Sequence, residues 1–296
     1  MEPASVLPAR QRAFSPELSM LAGASLWGIS WYPMRLLEDA GLPGLWMTLL
    51  LHTTIFVVTL PWTARPLRAV PLTRIRWILA LVLGAAWSDI AFIVAVLEGS
   101  VLRMMLLFYI SPLWGTLLGA ILLGERASKA ALASLALGMF GAVITLWNPS
   151  VGGPWPRDHA DWLALSAGFA FAVSNTAGRK LEDIPIAAKS ALIWLTGMAM
   201  SAVAIVWLAQ PAPALTLAIG LGVVALAIGG FLGMTALLQY GAAHLPVHRS
   251  SVLALFELAV AATSEQLLTN VAFVWKEWMG AALIALGAYL SARASE

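Results

Sequence analysis

Three ionisable side chains stand inside long apolar runs: Glu257, Asp89 and His52. A charge held away from water is costly unless it faces protein, water or an opposite charge, so each is a candidate for function. A carboxylate or an imidazole in such a place could bind a substrate group, or take up and release a proton. Ser250 and Ser264 each lie seven residues from Glu257, near the same helical face, and this polar stripe suits the wall of a cavity. Neither Asp89 nor His52 has a partner within its own run. Asn175, and Thr235 with Gln239 one turn further on, could hydrogen-bond a zwitterion or bridge helices.

Aromatic groups add apolar surface. Of 14 tryptophans, many fall where a membrane interface would place them, but Trp27 and Trp87 are deeper and could wall a pocket for an aromatic or apolar substrate. Tyr109 offers a hydroxyl three residues before Pro112. Pro112 and Pro33 interrupt helix interiors, each removing a backbone bond, and are hinge candidates. Arg35 and Arg103, near segment ends, suit either attraction of a carboxylate or snorkelling of a long side chain. The chain has no cysteine, no His-Glu-x-x-His, no Gly-x-Ser-x-Gly and no Gly-rich phosphate loop. An enzyme is therefore not expected, nor is a metal or a cofactor.

These residues must be positioned by helices in lipid. Of 296 residues, 60% are hydrophobic and 11% charged, where a soluble domain has about 25% charged. Mean hydropathy is +0.86. A helix needs about 20 apolar residues to cross a hydrocarbon core of about 30 Å. Cutting at charges, prolines and glycine clusters leaves ten segments of that kind: 18–37, 43–61, 75–97, 100–122, 130–147, 161–180, 187–209, 214–240, 246–268 and 275–292. The alternating polarity of a membrane β-barrel is absent. The expected fold is an all-α integral membrane protein of ten transmembrane helices.

Basic residues give the orientation, because they concentrate on the cytoplasmic side. With the N-terminus inside, 13 of the 17 Lys and Arg fall on that side, and only Arg35, Arg103, Arg157 and Lys276 fall opposite. Both termini are expected to be cytoplasmic. A shift of 145 lays Leu18, Ala22, Gly23, Arg35 and Leu36 on Leu163, Ala167, Gly168, Lys180 and Leu181; a shift of 146 lays Gly141 on Gly287 and Ser111-Pro112 on Glu257-Leu258. The chain thus divides into a tail, 1–16, and two repeats, 17–148 and 160–292. Five helices is an odd number, so the second repeat enters the membrane from the opposite face, the inverted arrangement that many secondary transporters use around a midplane site.

The segments Leu21-Ala-Gly-Ala-Ser-Leu-Trp27-Gly28 and Leu106-Leu-Phe-Tyr-Ile-Ser-Pro112-Leu-Trp-Gly-Thr-Leu-Leu-Gly-Ala-Ile-Leu-Leu-Gly124-Glu125-Arg126 resemble the EamA family of the drug/metabolite transporter superfamily. That family has an early Trp-Gly in its first helix, and a proline in its fourth helix followed about thirteen residues later by Gly-Glu. The second repeat departs from this pattern, with Leu258 in place of the proline and Thr269-Asn270-Val271 in place of Gly-Glu. The resemblance implies an exporter or exchanger of amino acids or related metabolites, working by alternating access in a bacterial inner membrane. Its partners would be a small-molecule substrate and the lipid bilayer, not nucleic acid, since the net charge is only +2. Oligomeric state stays open, a homodimer included. A non-transporting sensor or assembly subunit is the alternative, and short loops leave it no soluble domain.

Overall fold

The computed structural model describes residues 15–124, 129–146, 155–244, 253, 256–269 and 274–294, and among them helix is the regular element throughout, with no strand. Helix α1 (Pro16–Ile29) opens with Ser15 accepting the Leu18 N–H at 3.1 Å and with Pro16 where a missing N–H costs nothing. It breaks at Ser30, whose N–H and hydroxyl both turn back to the Trp27 carbonyl, at 3.1 and 2.8 Å. The chain resumes as α2 (Trp31–Asp39). Pro33 explains the break's position, since it has no N–H for the Ile29 carbonyl. Gly41, at φ +98°, ends α2 in the left-handed region.

Then come α3 (Gly44–Arg68), α4 (Ile75–Glu98), α5 (Val101–Phe108) and α6 (Ser111–Leu118). A widened π turn (Gly119–Leu123) continues α6 and stops at Gly124, at φ +70°. Helices α7 (Lys129–Leu146), α8 (His159–Lys180) and α9 (Ile186–Trp207) follow. α10 (Leu217–Ala225) runs through a second π turn (Leu226–Leu232) into α11 (Gly233–His244); α12 (Phe256–Leu268) and α13 (Trp275–Ala294) complete the described helices.

Among the described residues, five helical stretches are long and apolar enough to cross a membrane: Gly44–Arg68, Leu72–Glu98, Arg103–Leu123, Ile186–Trp207 and Leu217–Leu238. They match the second, third, fourth, seventh and eighth segments expected from the sequence. At 1.5 Å per residue, the 25 residues of α3 reach about 37 Å, enough to span the hydrocarbon with a turn to spare.

Neighbours far apart in sequence hold the bundle. α3 packs on α9, α7 on α13, α4 on α8 and α9, α1 on α11 and α12, and α5 and α6 on α8. Lipid is as apolar as leucine, so such contacts depend on close packing, and small residues make that possible. A Cβ on Gly28 of α1 would come within 2.5 Å of the Glu257 carbonyl oxygen of α12. One on Gly168 of α8 would come within 2.5 Å of the Phe108 carbonyl oxygen, the carbonyl that Pro112 cannot serve with a backbone donor. The largest core cluster centres on Trp31, Met34, Met47, Leu51, Ile93 and Met104, drawn from four of the helices between α1 and α5.

Candidate functional site

Glu257 lies on α12, 7% exposed, where Gly28 lets the backbone of α1 press against it. The hydroxyl of Tyr109 hydrogen-bonds its carboxylate, while the buried Oε1 has no hydrogen-bond partner. Tyr109 reaches this position because the chain is interrupted there: α5 ends at Phe108, and α6 starts only at Ser111, next to Pro112. Two turns along α12, buried Ser264 accepts the Trp31 indole N–H at 3.0 Å and donates to the Ala261 carbonyl. Two members of the polar stripe expected on this helix are thus buried against α1 and α2; Ser250 lies outside the described residues.

Aromatic rings extend from Tyr109 in a chain of contacts. Phe108 meets Tyr109 with ring centres 5.9 Å apart, Phe92 meets Phe108 edge-on at 5.0 Å, and Trp27 stacks on Phe92 at 5.9 Å. Phe231, in the second π turn, closes on Trp27 edge-on at 6.1 Å. This wall is built from α1, α4, α5 and the π turn, and Trp27 belongs to it. Trp87 does not; it is 41% exposed and donates its indole N–H to Ser166 Oγ at 3.2 Å.

His52 and Asp89, neither of which has a partner within its own segment, meet each other. His52 Nε2 stands 3.2 Å from Asp89 Oδ2, with His52 buried and Asp89 half-buried. The Nδ1 of the same ring lies 2.9 Å from the Thr48 carbonyl. A carbonyl only accepts, so Nδ1 carries a hydrogen, and the contact from Nε2 to a carboxylate then requires one further proton on the pair. Gly197 of α9 backs the imidazole so closely that a Cβ there would sit 2.5 Å from the ring. Asp89 is three residues from Phe92 on α4, which sets this pair one turn from the aromatic wall.

A second group of polar contacts ties helix ends together near Gly99. Arg103 grips Asp161 with two nitrogens, Nε to Oδ1 at 2.7 Å and Nη2 to Oδ2, in the bidentate geometry that suits guanidinium and carboxylate. Asp161 is fully buried and also accepts the Arg157 backbone N–H at 2.8 Å. Arg35 donates to the carbonyls of Val96 and Gly99 and lies 5.3 Å over the Trp31 ring. Glu265, 1% exposed, accepts the Val101 N–H at 2.8 Å, and Glu98 pairs with His159 at 3.0 Å. At the other end of the bundle Arg74 pairs with Asp183 at 2.7 Å, beside a cavity of about 440 Å³ that Arg179, Lys180 and Glu182 also line.

The remaining sequence candidates scatter. Asn175 is exposed on α8, while its neighbour Ser174 is buried and donates to the Leu81 carbonyl. Thr235 bonds its own helix, at the Phe231 carbonyl. Gln239 is part of α11, its side chain outside the described residues, as are Glu125 and Arg126. Among the described residues no three His, Asp or Glu side chains gather as metal ligands. Sequence reasoning passed over Phe92, Phe108 and Phe231, apolar residues among many, and over Asp161 and Glu265. A signal existed for Glu265: it is a second carboxylate eight positions beyond Glu257 on an apolar helix.

No protein of curated function matches the chain in sequence. A solved crystal structure of a protein aligns with 95% of this chain and 98% of its own, with a TM-score of 0.63 and 22% identity. Likeness at that identity carries the fold alone, and carries it through both halves. In sequence, residues 159–293 match the EamA-like transporter family. Residues 159–293 are thus similar to an EamA-like unit, the kind found in the drug/metabolite transporter superfamily.

Proposed function

We propose that this multi-pass membrane protein is a secondary transporter of small metabolites, amino acids and related compounds, an exporter or exchanger working by alternating access around a midplane cavity. The observation that carries the reading is Glu257: a buried carboxylate with one oxygen on Tyr109 and the other unpartnered, beside the wall of Trp27, Phe92 and Phe108. Substrate sites in transporters join apolar walls to a few polar groups held near the middle of the membrane.

In this reading ten transmembrane helices form two inverted repeats, 17–148 and 160–292, after a cytoplasmic tail, with both termini inside a bacterial inner membrane. The helix pairings support it. If the first five segments correspond to the last five in order, the pairing of α4 with α8 has its counterpart in α11 with α1. That of α1 with α12 has its counterpart in α8 with α5 and α6, while α3 with α9 and α7 with α13 are their own counterparts. The Gly99 end is then periplasmic, and the Arg103–Asp161 pair helps to close it. Pro33 and Pro112 are the hinges, and the proton on the His52–Asp89 pair makes that pair the candidate for coupling to a proton gradient.

The test is counterflow by the purified protein in liposomes, with a panel of labelled amino acids and aromatic metabolites. Saturable exchange that Glu257→Gln abolishes is the expected result. Exchange unaffected by Glu257→Gln moves the site away from this carboxylate, and a panel without any exchange overturns the reading.

A further inference from the structure

We infer that Glu257 receives the ammonium group of an organic amine, with the aromatic wall taking the amine's apolar body; the inference rests on the transporter reading and names its substrate class. An ionised carboxylate only accepts hydrogen bonds. One oxygen of Glu257 already has the Tyr109 hydroxyl, and Oε1, buried, has nothing. What this place lacks is a donor, and a ligand that fits must bring one.

Among the described residues, the guanidinium groups of α2 and α5 direct most of their hydrogen bonds elsewhere. Arg35 turns its Nη2 to the Val96 and Gly99 carbonyls, leaving only its buried Nε without a partner, and Arg103 holds both oxygens of Asp161. The Trp31 indole N–H belongs to Ser264. A substrate carboxylate would therefore enter a site that already holds the Glu257 carboxylate, whose Tyr109 hydroxyl is given to Glu257, and near which Arg103 is committed to Asp161 and Arg35 Nη2 to backbone carbonyls. That disfavours anions and, less strongly, zwitterions. A cation gains twice: it pairs with the carboxylate where water is scarce, and it meets the electron-rich faces of aromatic rings, with Trp the best of them and Trp27 at the head of the wall. Gly28 contributes by keeping α1, and Trp27 with it, against the Glu257 backbone.

The experiment uses three compounds that share a phenyl ring and differ in charge: 2-phenylethylamine, phenylalanine and 3-phenylpropionate. Binding of labelled 2-phenylethylamine to the purified full chain is measured by scintillation proximity at mildly alkaline pH, where the amine is still an ammonium ion and the carboxylate is ionised, with the other two as competitors. Counterflow of each is then measured in liposomes. The amine should bind at least about tenfold more tightly than either competitor, and Glu257→Gln should weaken it by roughly tenfold or more, as loss of a charge-assisted bond implies. Amine-dependent thermal stabilisation, present in wild type and lost in Glu257→Gln protein of unchanged size-exclusion profile, separates loss of the site from loss of the fold. Tighter binding of phenylalanine or 3-phenylpropionate, or amine binding indifferent to Glu257→Gln, overturns the amine assignment. If none of the three binds while other labelled amino acids exchange, the amine assignment falls and the transporter reading stands. If nothing exchanges, both fall.

Discussion

His52 and Asp89, 37 positions apart on α3 and α4, share a 3.2 Å contact that exists only with a proton more than a neutral imidazole and a carboxylate provide, because the other ring nitrogen is turned to the Thr48 carbonyl. Asparagine at position 89 can donate its amide N–H to a neutral Nε2 and needs no such proton. Asp89→Asn should therefore keep stability within about 1 kcal/mol of wild type, while Asp89→Leu, which strands the ring nitrogen, should cost about 1–3 kcal/mol. Thermal unfolding in detergent distinguishes them. If the pair's proton is used in transport, Asp89→Asn should also flatten the pH dependence of exchange; an unchanged profile would remove the pair from the coupling.

Gly197→Val should be among the more damaging single changes in the bundle. Its first added atom would meet the His52 ring at 2.5 Å, forcing α9 away from α3 at a cost of about 1–3 kcal/mol. Gly115→Ala is the control. Nothing lies within 4 Å of a Cβ there, and the gain in helix propensity should leave that variant as stable as wild type or better. Equal losses of melting temperature in both would refute the packing argument.

The Arg103–Asp161 pair buries one charge fully and the other to four-fifths of its side chain. Asp161→Asn leaves Arg103 without its counter-charge, and a loss of about 3–5 kcal/mol is expected; Arg103→Met with Asp161→Leu together should recover much of it. The absence of native cysteine makes a second readout clean, since an introduced thiol is the only one in the chain. A thiol at Val101, fully buried next to this pair, should react slowly with an impermeant maleimide and faster when Asp161→Asn is added. Equal rates would mean that the pair does not help to close this end.

Glu38, at the end of α2 and outside the first apolar segment, has its carboxyl pushed above the usual range by burial first and by Asp39 second, against the pull of Arg35, with Glu98 adding to the rise. A folded-state value above the unfolded one means the folded chain binds protons more readily, so this group favours folding at low pH and that contribution is lost as pH rises through the carboxylate range. Glu38→Gln should thus raise the melting temperature at neutral pH, and the gain should shrink as the pH falls towards that range. A gain that grows on acidification would contradict the sign.

The sequence carried much of the bundle, because a hydrocarbon solvent leaves long apolar runs little choice but helix. It also exposed Glu257, Asp89 and His52, since ionisable residues are conspicuous against leucine and alanine. What it could not carry is register across helices. His52 and Asp89 looked alone because their partner is on another helix, and Arg103 suited a snorkelling side chain as well as a pair with Asp161. Prolines were legible, yet the breaks fall upstream of them, at Ser30 before Pro33 and at Tyr109–Ile110 before Pro112. A proline withholds its bond from the residue four places earlier, so its effect is displaced towards the N-terminus. Phe92, Phe108 and Phe231 gave no sign of gathering around Trp27, for one phenylalanine in an apolar helix reads like another.

Two bonds described separately belong to one pair of helices. Tyr109 meets Glu257 and Val101 meets Glu265, so eight residues separate the attachment points from the start of α5 to the residue that caps its end, and eight separate them on α12, in opposite chain directions. At 1.5 Å per residue both intervals come to about 12 Å, and the two helices are stapled side by side at two matched heights. A body fixed at two points cannot rotate about either without breaking the other.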